Sequence, residues 1–207
     1  MDGVFMKKHI KRTVALFLLG LTILGIAALY KDFRYIKQNV IRLHVVANSD
    51  APQDQTVKLQ VKDYVVEKLQ PIISEFPNKE QAEKFIQDNL LFIEQVSRDA
   101  LSAFGSDERI SVTFEKEAFD TRVYDTFSLP SGIYDALRIE IGNGEGKNWW
   151  CVVFPSLCLP ATAKDFKTIS ASSGFSDGLT NTLQRSDGYE IRFFILDCFG
   201  KLENIFR

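Results

Sequence analysis

Four polar residues close together raise the question of chemistry: His44, Asn48, Ser49 and Asp50. An imidazole, a hydroxyl and a carboxylate are the parts of a nucleophile–base pair. The same residues suit a plainer use. Asn, Ser and Asp ahead of a helix are capping residues, and a lone His on a strand is commonly held by structural hydrogen bonds. No nucleophile elbow of the Gly-x-Ser-x-Gly type is expected anywhere in the chain.

A second constellation is the run Gly142-Asn143-Gly144-Glu145-Gly146-Lys147. Alternating glycines before a lysine suggest a phosphate cradle. However, no Ser or Thr follows the lysine, and a strand-like Trp149-Trp150 stands where a helix should begin. A mobile hairpin tip suited to touching a partner is the better expectation. Neighbouring strand residues point to opposite faces. One tryptophan can therefore enter the core while the other, beside a polar loop with Asn148, anchors an interface. Cys151 and Cys158 could close a short disulfide loop if the chain leaves the cytoplasm, or could be buried thiols. The carboxylates form no pair that the sequence places together.

Elements must position these groups. Residues 40–47 (VIRLHVVA) read as a strand with a polar face at its start. Asp50, with Gln53 three residues on and Pro52 in the first turn, predicts a helix start. That helix carries Val57, Val61, Tyr64, Val65, Leu69 and Ile72 inward, with Lys58, Lys62 and Glu67 outward, and ends at Pro71 and Pro77. Asn78 and Gln81 predict a second helix running to Gly105. Ile110, Val112 and Phe114 alternate as a strand, and Val123, Asp125 and Phe127 suggest another. Leu129 to Gly132 signals a turn. Leu137, Ile139 and Ile141 then alternate with Arg138 and Glu140. A further strand over 149–154 stops at Pro155, and these last two strands predict a hairpin about the glycine loop. Residues 168–188 read as a polar loop. Ile191, Phe194, Cys198, Leu202 and Ile205 predict a C-terminal helix, with a strand over Ile191, Phe193 and Ile195 as the alternative. The fold class is α+β: a mixed or antiparallel sheet packed with helices.

The beginning of the chain has a different character. Lys7, Lys8, Lys11 and Arg12 precede an uncharged apolar run over 13–30. That run is long enough to span a bilayer, and the basic flank predicts export of the rest of the chain. Cleavage after Ala27 and an uncleaved anchor both remain open. Residues 1–30 are thus a signal peptide or membrane anchor, and 31–207 a single exported domain.

The chain has 207 residues, of which 45% are hydrophobic and 25% charged, with net charge −2. That composition excludes an intrinsically disordered chain. A near-neutral, slightly acidic balance gives no footprint for nucleic acid. Two His and three Cys are too few for a zinc site of the usual all-His/Cys kind, and no metal or cofactor is expected.

Two long stretches resemble the stage II sporulation protein R family. The first runs Ile41-Arg42-Leu43-His44-Val45-Val46-Ala47-Asn48-Ser49-Asp50, with Asp54-Gln55 and Lys58, Leu59, Val61, Lys62-Asp63 after it. The second begins Leu129-Pro130-Ser131-Gly132 and includes Tyr134, Ala136-Leu137-Arg138-Ile139 and Ile141-Gly142. It continues from Gly146-Lys147-Asn148-Trp149-Trp150-Cys151 through Val152-Val153-Phe154-Pro155 to Cys158. The resemblance implies a sporulation signalling protein, not an enzyme. It would be made in the forespore and exported into the intermembrane space. There it would activate a membrane-embedded aspartic protease that processes the sigma factor E precursor in the mother cell. His44, Asn48, Ser49 and Asp50 form one polar corner, and Asn148, Trp149 and Trp150 the other; both are expected to face the partner. A secreted wall hydrolase using His44, or a small-molecule-binding module using the tryptophans and glycine loop, are the alternatives.

Overall fold

The computed structural model describes residues 2–158, 163–184 and 191–206, with side chains for 9–158, 164–184 and 191–206. Helix α1 (Asp2–Asn39) leads into strand β1 (Ile41–Val46). Helices α2 (Pro52–Ile73), α3 (Lys79–Asp88) and α4 (Leu90–Ala103) come after it. Strands β2 (Ile110–Phe119), β3 (Arg122–Val123), β4 (Ser128–Leu129), β5 (Gly132–Ile141) and β6 (Asn148–Phe154) come next, then helices α5 (Ala163–Ser172), α6 (Asp177–Leu183) and α7 (Ile191–Ile205). The class is α+β, as the sequence predicts.

The main sheet runs β2-β5-β1-β6, with β1 parallel to β5 and the other pairs antiparallel. This corrects the predicted hairpin. β5 and β6 do not pair, because β1 lies between them. Residues 142–147 bridge two strand spacings, about 9–10 Å, which six residues span with ease. The loop is fastened to the end of β1 as it crosses, with Gly146 N–H on Ala47 O at 2.9 Å and Glu145 N–H on Asn48 O at 3.1 Å.

Insertion of β1 also overturns its expected polar face. Ile41, Leu43 and Val45 pack under α2 and α4 with Leu137, Ile139 and Cys151. The opposite side is covered by the end of α1, by α7 and by α5–α6, whose Phe33, Ile36, Phe166 and Leu196 cluster with Tyr134 of β5. Side chains of the other strands and of the β3–β4 segment close over that side of β1, with Phe119, Tyr124 and Tyr134 around Arg42 and Glu117, Asn148 and Trp150 around His44, so Arg42 and His44 are 0% and 2% exposed.

Several local expectations hold and others shift. Asn78 Oδ1 accepts from Gln81 N–H at 3.0 Å, capping α3 as its spacing predicts. The second predicted helix is two, broken at Asn89, whose side-chain amide donates to Phe85 O at 2.8 Å. Gly105 ends α4 with φ +74°. Ala51, not Asp50, is the N-cap of α2, and no side chain caps it. Pro71 sits inside the last turn of α2 and does not stop it. A proline there forfeits its N–H bond and crowds the carbonyl four residues back, yet Ser74 N–H still closes the turn onto Gln70 O at 2.9 Å. Lys58 points inward, held by Gln55 Oε1 and Lys147 O, while Ile73 replaces Ile72 in the core.

The strand suggested by Val123, Asp125 and Phe127 is the small β3–β4 hairpin. The polar 168–188 stretch is helical over α5 and α6 rather than loop, with 185–188 outside the described residues. Its hydroxyls serve the backbone: Ser176 caps α6, accepting from Leu179 N–H at 3.2 Å, and Thr182 donates to Gly178 O at 2.8 Å. Helix α7 forms as predicted, but its predicted core stripe faces outward. Ile191, Phe194, Leu202 and Ile205 are exposed, and Leu196, Asp197 and Gly200 are the buried positions.

Candidate functional site

The two polar corners meet. Because β1 lies beside β6, the register sets His44 opposite Trp150 and Val46 opposite Asn148. His44 Nε2 faces Asn148 Oδ1 at 2.8 Å. Its Nδ1 lies 2.8 and 2.9 Å from the two carboxylate oxygens of Glu117 on β2. The imidazole stacks on the Trp150 indole at 3.8 Å between centroids. Arg138 Nη1 donates to Glu117 at 2.9 Å, and its Nη2 to Glu140 at 2.8 Å. Burial pushes the Glu117 carboxyl up, but the hydrogen bond and charge of His44, together with Arg138, outweigh it and hold that group below its ordinary range. His44 is therefore a buried organiser and not a surface group. Its two ring nitrogens go to a carboxylate and an amide, so neither reaches a hydroxyl or thiol as a catalytic base would need to.

Asn48 and Asp50 hold the glycine loop, and Ser49 braces the corner between them. Asn48 Oδ1 accepts from Asn143 N–H at 2.9 Å, and Asp50 Oδ1 from Lys147 N–H at 2.8 Å. Ser49 donates to Asp54 at 2.6 Å and accepts from Ala51 N–H at 3.1 Å. Loop amides that would cradle a phosphate are spent on this corner. The loop is pinned, contrary to the expectation of a mobile tip. Gly146 shows why glycine is needed: a Cβ there would lie 2.3 Å from the Ser49 carbonyl oxygen.

The exposed part of the site is Trp149, Asn148 and Asp50. Trp149, 37% exposed, packs under the Lys62 ammonium at 4.7 Å. Trp150, half-buried, lies between His44 and the Arg122 guanidinium, 4.6 Å from its ring. Both tryptophans border a groove of about 510 Å³ along the open edge of β6, closed on its far side by β3 and Tyr124. Cys151 and Cys158 line it too. Both are free thiols, joined by a hydrogen bond. Burial and the Cys151 neighbour push the Cys158 thiol up; at Cys151, burial is outweighed by its bonds to Cys158 and Val152.

Sequence reasoning missed three groups. Glu117 and Arg138 sit on strands like any alternating polar pair, and only the sheet order brings them to His44. Arg42 is fully buried, stacked on Phe119 at 4.3 Å and bonded to Cys151 O at 3.3 Å and Tyr124 Oη at 2.9 Å. Among the described residues no carboxylate pairs with it. Burial, opposed by Arg42, raises the Tyr124 phenol to about 12. The third is Gly174-Phe175-Ser176-Asp177-Gly178, which does fit the Gly-x-Ser-x-Gly pattern. There a helix precedes the serine instead of a strand, and Ser176 is the N-cap of α6. It has the pattern of a nucleophile elbow without its context. Among the described residues no three His, Cys, Asp or Glu side chains gather to hold a metal ion.

A family model described as stage II sporulation protein R matches residues 37–164, from the end of α1 to the start of α5. Stage II sporulation protein R of Bacillus subtilis (strain 168) is 30% identical over 186 residues, covering 81% of this chain and 83% of the relative. No solved structure matches.

Proposed function

Since the chain belongs to the stage II sporulation protein R family, and so to sporulation, we propose that it is an exported signalling protein. It leaves the forespore through α1 and enters the intermembrane space. There it activates a membrane-embedded aspartic protease, which then processes the sigma factor E precursor in the mother cell. Activation works by differential binding: the exported domain favours the active form of the protease over the idle one.

One observation carries this reading. The strand-to-helix corner and the Asn148–Trp150 strand form one rigid patch, and its organising groups are bonded to one another rather than aimed at a substrate. What the patch presents outward is Trp149, Asn148 and the groove beside β6, a surface suited to an anchor contact. The deciding experiment is co-expression of the exported chain with the protease and the sigma precursor. Shortening of the precursor, reduced by Trp149→Ala in a folded protein, supports the proposal. An intact precursor in the presence of exported, folded chain overturns it.

The groove of about 510 Å³ with its two tryptophans favours one second reading, a small-molecule-binding module. A rise in melting temperature on screening small metabolites would support it.

A further inference from the structure

Helix α1 has two environments. None of its apolar window within His9–Asn39 is buried, whereas Phe33 and Ile36 near its end lie in the core. Residues 13–30 rise about 27 Å, close to the hydrocarbon thickness of about 30 Å. If the helix spans a bilayer, the boundary on the domain side therefore falls near Tyr30 and Asp32.

Helix α7 runs alongside that boundary. Its contacts with α1 advance together: Phe199 meets Tyr30 and Phe33, at 5.3 and 5.9 Å between ring centroids, and Glu203 pairs with Lys37. Toward its start, Arg192 pairs with Asp32 at 3.4 Å. Arg192 and Ile195 face a groove whose other wall is the bare apolar side of α1, including Leu18, Ile26 and Leu29. Ile191 is 67% and Phe194 47% exposed. Apolar side chains on the first turns of α7 thus stand where α1 loses its protein cover.

We infer that Ile191, Phe194 and Ile195 seat in the headgroup–acyl boundary of the bilayer that α1 spans, holding the domain against the membrane at two points. The occupant is lipid because this face continues the lipid-facing side of α1, and because Arg192 and Asp32 place a polar pair at the expected interface. The inference rests on reading α1 as an uncleaved span.

The full chain is reconstituted in nanodiscs of phosphatidylcholine and phosphatidylglycerol with brominated acyl chains. Bromine quenches tryptophan fluorescence on contact. After subtraction of the Trp149 and Trp150 signal measured in the unaltered chain, Ile191→Trp is expected to be quenched about twofold more than Leu91→Trp, an exposed position on α4. Ile205→Trp, at the other end of α7, is expected to behave like Leu91→Trp. Equal quenching at Ile191 and Leu91 overturns the inference, as does equal quenching at Ile191 and Ile205, which would mean that α7 lies flat. Shielding of Ile191 that tracks protein concentration instead of bromination assigns the face to a second copy and also overturns it. A chain that fails to co-elute with the discs overturns the spanning reading itself. Should a tryptophan variant misfold, hydroxyl-radical footprinting of the unaltered chain in the same discs compares Ile191 and Phe194 with Leu91 and Leu202. Lower oxidation of the first pair is expected, and equal oxidation overturns the inference.

Discussion

The His44 imidazole lies flat on the Trp150 indole, 3.8 Å between centroids and 20° from coplanar, while its two nitrogens meet Glu117 and Asn148. Three strands, β1, β2 and β6, thereby converge on one buried ring. Trp150→Ala is expected to remove about 2–4 kcal/mol of stability, read from urea unfolding. Trp150→Phe, which keeps a ring over His44, should lose about half as much. An alanine variant as stable as the unaltered chain would mean that the stack contributes nothing to the fold.

Asp50 holds the loop by the Lys147 amide, not a helix end. Asp50→Ala should cost about 1 kcal/mol and speed hydrogen exchange at Lys147 N–H, leaving the first turn of α2 unchanged. Faster exchange at Asp54 and Gln55 instead would restore the capping role.

Gly200 sets the approach of α7 to β5. A Cβ there would lie 1.7 Å from the Ser131 carbonyl oxygen, beside the bonds that Ser131 makes to Asp197. Gly200→Ala should destabilise the domain by roughly 3 kcal/mol. Gly25→Ala on α1, where a Cβ would meet nothing within 4 Å, should be neutral. Thermal unfolding of the two variants side by side is the measurement.

Acid should weaken the fold in a defined window. Burial raises the carboxyls of Glu117, Asp135 and Asp197, but their partners outweigh it and hold all three below the ordinary range. For Asp135 the partners are Lys116 and Lys79; for Asp197 they are Thr121, Ser131 and Lys201. Carboxyls with lowered folded values contribute stability that is fully present above the unfolded value of about 4 and is lost as pH falls through the folded values. The melting temperature should therefore drop below about pH 4, and the stability gap between the unaltered chain and Glu117→Gln should shrink there. A gap that stays constant across that range would separate Glu117 from the acid response.

Cys151 and Cys158 touch, whereas Cys198 lies on α7. Incubation of the folded chain with oxidised glutathione should join Cys151 to Cys158 ahead of any pairing with Cys198, each thiol giving up its hydrogen as glutathione is reduced. Peptide mapping without reductant reads the linkage. A mixed disulfide at Cys198 with both groove thiols free would contradict it.

Local pattern carried much of this fold. The uncharged run over 13–30, the alternation through Leu137, Ile139 and Ile141, and the Asn78 cap all depend on residues within a turn or a strand of one another. Periodicity reports which side chains share a face, so the elements of an α+β domain and its leading apolar helix were legible from the chain alone. Strand order was not. A polar residue on a strand reads as solvent-facing unless its partners are known, and those of His44 are 73 and 104 residues away. The insertion of β1 between β5 and β6 buried His44 and Arg42, joined the two polar corners and turned a supposed hairpin tip into a pinned crossing. It was likewise packing, and not pattern, that chose which side of α7 to bury. Both sides of that helix carry large apolar residues, and the side that meets the sheet is the one where Gly200 lets Ser131 approach and Asp197 bonds it.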